Sequence, residues 1–540
     1  MIRITELKLP LDHRPEALQD ALETKLGTTV KQYHVVRRGY DARKRGNIKL
    51  VYTIDCVIDD EAKFWEENTQ NKNLQPAPEI GYHFIINRQE GEALTQKTGY
   101  RRPVVIGAGP CGFMAGLLLA QMGLRPLILE RGKKVKERTV DTFAFWRKAQ
   151  FNPESNVQFG EGGAGTFSDG KLHTKISDPH HYGHKVLTEF VKAGAPEEIL
   201  YISKPHIGTF RLVSMVEHIR TEIESLGGSY EFSANVESLI LSKERQIEGL
   251  RLTDGREIEA SHVILAIGHS ARDTLTALYK DGVEIQSKPF SVGVRIEHPQ
   301  SLIDQIQFGH QAGHKLLGAA DYHLVHHGGN DRGVYSFCMC PGGSVIAAAS
   351  EEGGVVTNGM SQYSRTERNA NAAIVVSVEP ERDYPGNPLA GIAFQRHLEQ
   401  QAFALGGNNY HAPVQRVEDF LKNRASNCLG EIIPSYKPGV TPTNLAEILP
   451  NFVIQSIREA LPIFNRKLSG YALKDAVMTG VETRTSSPVR IPRGKDGQSL
   501  NTKGLFPAGE GAGYAGGIMS AAIDGIRMAE AVAIQIKNTL

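Results

Sequence analysis

Apolar and polar positions change their period several times along the chain, and each change marks an element. Residues 2–9 alternate with a period of two, 15–26 repeat at helical spacing, and 30–37 and 49–58 read as strands. Residues 61–68 form a short helical pattern and 82–86 a last strand. The order β-α-β-β-α-β predicts a ferredoxin-like domain over residues 1–98, with a polar linker from 87 to 101. Val104-Val105-Ile106 is then apolar without alternation, as suits a strand buried on both faces of a parallel sheet. An apolar helical stretch follows over 113–122, and a second strand over 125–129 ends at Glu130. Further on, 189–193 and 214–226 predict helices, while 230–232, 236–242, 247–252 and 257–259 predict short strands. Residues 262–267 form another buried strand. Residues 290–421 mix strands and loops and predict a substrate or cap domain; 422–540 return to the domain begun over 99–289. The expected class is α/β with α+β parts: a Rossmann-like dinucleotide-binding domain with an inserted cap, behind a small N-terminal domain.

Between the strand at Val104 and the helix that follows lies G-x-G-x-x-G, at Gly107, Gly109 and Gly112. Gly107 suits the tight turn, Gly109 the close approach of backbone to a pyrophosphate, and Gly112 close helix–strand packing. Pro110 is tolerated because the first helical turn has no partner for its N–H. The helix N-terminus offers free N–H groups to phosphates, and Glu130, 18 positions past Gly112, falls where an acid takes ribose hydroxyls. Strand, helix, second strand and acid together make this a dinucleotide site, where G-x-G-x-x-G alone would be weak evidence. A second run, residues 159–172, interleaves Gly162, Gly163 and Gly170 with Thr166 and Ser168 between apolar residues, which implies backbone held against a ligand.

Composition narrows the class. A chain of 540 residues can divide into about two to four domains. Lys plus Arg is 61 against 60 for Asp plus Glu, which argues against bulk binding to nucleic acid or anionic membrane. The basic run from Arg37 to Arg45 is a local exception, either a solvated turn or a docking site for an acidic partner, an RNA or a phosphate. Five thinly spread cysteines fit a reducing compartment, and the N-terminus lacks the apolar core of a signal peptide. A cytoplasmic protein with a small-molecule substrate and no membrane partner is expected.

Four separated segments, VVIGAGPCG…LILERG, GEGGAGTFSDGKL, VILAIGHSARD and FPAGEGAGYAGGI, touch one ligand if they share a site. Their ensemble resembles the FAD domain of the glutathione-reductase-like flavoprotein superfamily. More narrowly, it resembles the uncharacterised FAD-dependent dehydrogenase family, with its N-terminal ferredoxin-like domain. The resemblance implies a noncovalent FAD and an oxidoreductase. By motif, Gly107, Gly109 and Gly112 would face the pyrophosphate, Glu130 the adenosine ribose with Arg131 beside it, and Val236 the adenine. Ala266 and Gly268 match the strand end that passes the dinucleotide. Beside Gly509 the superfamily usually has Asp, whereas this chain has Glu510, one methylene longer. Gly516, Gly517 and Ile518 open a final helix whose N-terminus would favour negative charge on the flavin.

Beyond the cofactor the residues say less. No second dinucleotide fingerprint is visible, so NAD(P)H visits transiently or the substrate is itself the donor. Cys338-Met-Cys340 precedes a turn; a strand there puts both thiols on one face, where they serve as a redox pair or as small buried residues. His206 and His269 are candidates to donate a proton or a structural hydrogen bond. Arg484 can clamp an anionic group or pair with Glu482 or another acid. The remaining histidines have no recognisable metal spacing, and no metal is expected. Two other readings stay open: a flavoenzyme acting on RNA or protein presented by the N-terminal domain, and a non-catalytic FAD sensor.

Overall fold

The computed structural model describes residues 1–44, 46–68, 71–174 and 176–539; Arg45 of the basic run lies outside the described residues. The N-terminal unit is a four-stranded antiparallel sheet in the order Gln32–Asp41, Lys49–Val57, Ile2–Pro10, Leu74–Pro76. Helices Glu16–Leu26 and Glu61–Glu67 bury Leu18, Leu22, Leu26 and Phe64. Asp60 caps the second by accepting from the Lys63 N–H, and Gly27 ends the first at φ +68.

The last strand of this unit is Leu74–Pro76, not 82–86. Tyr82 and Phe84 alternate for another reason: both rings cover the Lys185 ammonium, 5.1 and 4.9 Å from their centroids. Nor is the stretch 87–101 a linker. It contains a helix, Arg88–Leu94, started by an Asn87–Glu90 capping box. Ile86 and Leu94 belong to the core of the following domain, and a Cβ on Gly91 would overlap the Met122 carbonyl.

That domain is built on five parallel strands in the order Leu505–Pro507, Val263–Leu265, Val104–Ile106, Leu127–Glu130, Ser229–Phe232. Helix Pro110–Gln121 follows the first strand in sequence and is apolar all round because it is enclosed by the sheet and by the final helix, Ile518–Thr539. A Cβ on Gly525 would overlap the Cys111 carbonyl, so glycine lets the two helices approach at the first turn.

The cap is a seven-stranded sheet in the order Val325–His327, Gly333–Cys340, Asn369–Val378, Phe290–Pro299, Val477–Glu482, Ala412–Arg416, Val440–Pro442. The boundary expected at residue 421 therefore falls inside this layer. Val477–Glu482 pairs with both Phe290–Pro299 and Ala412–Arg416, and helix Asn451–Lys467 buries Val453, Ile457 and Phe464 in the same core. Such pairings join positions far apart in the chain, which a one-dimensional pattern does not record. The N-terminal unit docks on both larger parts. Arg38 exchanges backbone hydrogen bonds with Tyr201 and Ser203, and Tyr40 meets Phe308 edge to face. No helix among the described residues is long and apolar enough to cross a membrane.

Candidate functional site

The carboxyl ends of the parallel strands open on a cavity of about 570 Å³ that reaches the cap sheet. Its backbone is shaped by glycine. Gly107, at φ +98, donates to the Leu129 carbonyl at 2.7 Å, and a Cβ there would overlap the Ala266 carbonyl. Helix Pro110–Gln121 begins at Gly109 with no side-chain cap, which leaves its first-turn N–H groups for a ligand. On the side where a Cβ would stand, Gly268, Gly516 and Gly517 meet no atom of the described residues within 4 Å. Two bared stretches of backbone, at Gly268 and at Gly516–Gly517, thus face open space.

The structure brings most of the expected residues to this one cavity. Gly107, Gly109, Pro110, Glu130, Arg131 and Gly163 line it, as do Ser168, Val236, Ala266 and Gly268. Glu510, Gly516, Gly517 and Ile518 complete the set, with Cys338 and Arg484 from the cap. Gly112, Gly162, Thr166 and Gly509 stand behind the wall. A Cβ on Gly112 would overlap the Gly107 carbonyl, so the missing side chain of this glycine sets helix–strand contact. Gly162 donates to the Ala108 carbonyl at 2.8 Å, Thr166 lies under the Arg138 guanidinium, and Gly509 donates to Asp524 at 2.7 Å.

The polar wall is largely held in place. Glu130 accepts the N–H groups of Ala108, Gly132 and Gly160, with only the first on Oε2, so that oxygen keeps capacity for a hydroxyl. Arg131 is committed to Glu154 and Asp273 and lies over the Phe159 ring, 4.0 Å from its centroid. Glu510 sits 3.3 Å from Nδ1 of His269, whose buried Nε2 finds no hydrogen-bond partner among the described residues. That orphan in the cavity wall suits a ligand that supplies the missing partner.

Two expectations for catalysis are corrected. His206 is not on the cavity; its Nε2 bonds the Tyr363 carbonyl at 2.9 Å. Burial, helped by Arg365, pushes its pKa down to about 4, so it is neutral at pH 7 and is no proton donor. Arg484 lines the cavity with three of its five N–H groups already engaged: it forms a bidentate pair with Glu399 at 3.0 Å and donates to Ser350. Glu482 instead pairs with Arg295, and the acid that Arg484 pairs with is Glu399, a pair that holds the cap together. Sequence reasoning also passed over Lys171, which lines the cavity with its ammonium 2.9 Å from buried Asp169 and 4.0 Å from Cys340. Its place in the second glycine run was the available signal. No group of His, Cys, Asp and Glu that could hold a metal occurs among the described residues.

The buried histidines give a pH prediction. His206, His262 and His298 are each pushed down to about 4, first of all by burial. The unfolded chain binds protons at these positions below about pH 6.5 and the folded chain does not, so stability is lost as pH falls from 6.5 toward 4. The thermal midpoint is expected to drop by several degrees between pH 7 and pH 5; a flat profile would show that these imidazoles charge within the fold.

Fold and cavity together define an α/β dinucleotide-binding protein with a β-sheet cap. Residues 102–141 match the model of an FAD binding domain, 289–485 that of an FAD-dependent protein, C-terminal domain-like, and 1–57 a domain of unknown function. The chain is 46% identical over 533 residues to an uncharacterized protein of Clostridium beijerinckii (strain ATCC 51743 / NCIMB 8052), covering 98% of each. It belongs to the same family of FAD-dependent proteins. Solved structures with some likeness include CtdE in complex with FAD, at 12% identity, TM-score 0.32, and 80% and 83% coverage of the two chains. Another is glycine oxidase from Bacillus cereus ATCC 14579, at 10% identity, TM-score 0.33, and 82% and 96% coverage. At these scores neither transfers a reaction.

Proposed function

We propose that the protein is an FAD-dependent oxidoreductase that holds its flavin noncovalently and exchanges a hydride or two electrons with a small molecule beneath the cap. One observation carries this reading: a single cavity joins the bared backbone at Gly268, Gly516 and Gly517 to the cap side chains Phe337, Cys338 and Asn358. The residues fit FAD. The uncapped helix start at Gly109 receives the pyrophosphate, Glu130 a ribose hydroxyl, and Val236 flanks the adenine. His269, oriented by Glu510, offers its free Nε2 to the dinucleotide. The opening of the final helix at Gly516–Ile518 adds partial positive charge beside the ring. When bound, the flavin supplies two-electron chemistry, and the protein supplies position and electrostatics.

The N-terminal unit, ferredoxin-like in this reading, serves as a packing module. Its contacts at Arg38 and Tyr40 tie the strand Gln32–Asp41 to both larger parts, which supports a packing role. A walled-off sensor would not set Lys171 and Cys338 on the cavity. The test is the visible spectrum of the purified protein, followed by anaerobic addition of NADH or NADPH. A two-banded flavin spectrum released as free FAD on denaturation is expected. Bleaching by the nicotinamide identifies a transient NAD(P)H donor, and its failure assigns the donor role to the substrate. Absence of flavin even after incubation with FAD would overturn the proposal.

A further inference from the structure

Where the dinucleotide domain meets the cap, the cavity wall carries more positive charge than its own acids balance. Lys171 comes from the second glycine run, yet its ammonium reaches the cap strand Gly333–Cys340, 4.0 Å from Cys340 Sγ. The backbone on either side of it is pinned. Ile207 donates to the Gly170 carbonyl at 3.0 Å, and Leu172 donates to the Pro205 carbonyl at 2.8 Å. Asp169, buried in the same wall, lies 2.9 Å from the ammonium. Arg365 takes that carboxylate bidentately as well, at 2.9 Å on Oδ1 and 2.5 Å on Oδ2. Two cations thus share one acid, and Lys171 is the one of them that lines the cavity.

The neighbouring groups on the cap side leave donors over in the same way. Asn358 lines the cavity with its Oδ1 already accepting from Arg295 at 3.3 Å and from the Gly359 N–H at 2.7 Å. Those two donors set the amide's orientation and leave Nδ2 as the end without a partner among the described residues. Glu482, the other acid on this side, accepts from Arg295 at 3.0 and 3.1 Å and from Thr357 at 3.2 Å. Arg484 has Glu399 as its acid, and Glu510 belongs with His269 on the dinucleotide wall. Burial, then Lys171 and Lys204, hold His173 below its ordinary pKa, so it is neutral at pH 7 and adds no charge. For Lys171, burial works against the charge and Asp169 for it, and Asp169 prevails. Phe337 supplies an apolar surface on the same cavity.

We propose that the small molecule bound beneath the cap is a carboxylate, selected by the Lys171 ammonium together with the Asn358 amide. The proposal rests on the reading of this cavity as the FAD site and names the substrate class for it. An ionised carboxylate only accepts hydrogen bonds, so it uses the donors that the fold leaves over. Its single charge balances the one that Asp169 leaves unmatched between Lys171 and Arg365. Charge-assisted hydrogen bonds of this kind are shorter and stronger than neutral ones. A neutral amide of the same shape turns its own N–H groups toward donors and leaves the ammonium without a counter-charge. A phosphate monoester brings about −1.5 to −2 charges at pH 7, more than this cluster has to spare.

The experiment titrates the full-length FAD-loaded protein with benzoate, with its neutral isostere benzamide and with inorganic phosphate. Flavin absorption reports binding beside the ring, and calorimetry gives the affinities. Benzoate is expected to shift the flavin bands and to bind about tenfold or more tightly than benzamide, the scale of one hydrogen bond to a charged group. Lys171→Met should bring benzoate down to the affinity of benzamide, whereas Lys171→Arg should keep part of the preference. Asn358→Leu should weaken benzoate by about threefold or more. Equal affinities for the two isosteres in wild type, or no binding of benzoate, overturn the proposal without any variant having to fold. Benzoate binding that survives Lys171→Met unchanged, or phosphate that binds more tightly than benzoate, overturns it as well. Failure to load FAD overturns the parent reading instead, while loaded protein that does not distinguish benzoate from benzamide overturns this one alone.

Discussion

Glu399→Gln is expected to cost about 3–5 kcal/mol of stability, the scale for breaking a buried ion pair by removing one partner. Glu399 is 1% exposed and sits between Arg272, from the dinucleotide domain, and Arg484, from the cap. Both guanidiniums bind it bidentately, and Thr483 adds a hydrogen bond at 2.7 Å. Burial alone would raise the pKa of this carboxyl, but Arg272 and Arg484 hold it well below the carboxylate range. Its stabilising contribution is therefore present above the unfolded carboxyl pKa near 4.5, and is lost only as pH falls through the depressed folded value. The mild-acid loss between pH 6.5 and 4 belongs to the histidines instead. Gln keeps the shape and removes the charge, leaving Arg272 with Glu351 and Arg484 with no carboxylate partner at hydrogen-bond distance among the described residues. The check is the urea midpoint of the first unfolding transition. Arg396→Ala, which removes a half-exposed partner of Glu351, should cost less than about 1 kcal/mol. Equal effects from the two variants would show that the buried junction contributes no more than a surface pair.

Gly112→Ala and Gly516→Val separate two ways of losing FAD. A methyl on Gly112 would overlap the backbone carbonyl of Gly107, which cannot move without opening the turn between strand and helix. Overpacking of this kind costs about 1–3 kcal/mol or more, and the variant should lose both midpoint and flavin. Gly516 is different: its φ is not positive, and nothing lies within 4 Å of the Cβ position. Gly516→Val should melt with the wild-type midpoint when FAD-free and yet bind FAD at least tenfold more weakly, about 1.4 kcal/mol or more. Isothermal titration of FAD-free protein reads the affinity directly. A valine variant that binds FAD as tightly as wild type would remove this side of the cavity from the cofactor site.

The chain's own pattern determined the parts whose cause is local. The turn at Gly107, the uncapped helix start at Gly109–Pro110 and the acid at the end of the second strand follow from glycine conformational freedom, proline chemistry and apolar runs of strand length. Several structural observations accord with them: φ +98 at Gly107, Pro110 at the first helical position, and Glu130 on the cavity wall. The tertiary structure decided what depends on partners distant in sequence. Whether Arg484 meets a ligand or Glu399 is set by helix Ala390–Gly406 folding back beneath it. Whether two cysteines spaced i, i+2 share a face is set by a bulge against Asn369–Val378, and Lys171, 4.0 Å from Cys340, comes from the other domain. Residues 82–86 carry a strand's alternation, yet their aromatic rings close over Lys185 because that ammonium is within reach. Periodicity records which side chains avoid water, and only the packed fold decides which other groups they meet there.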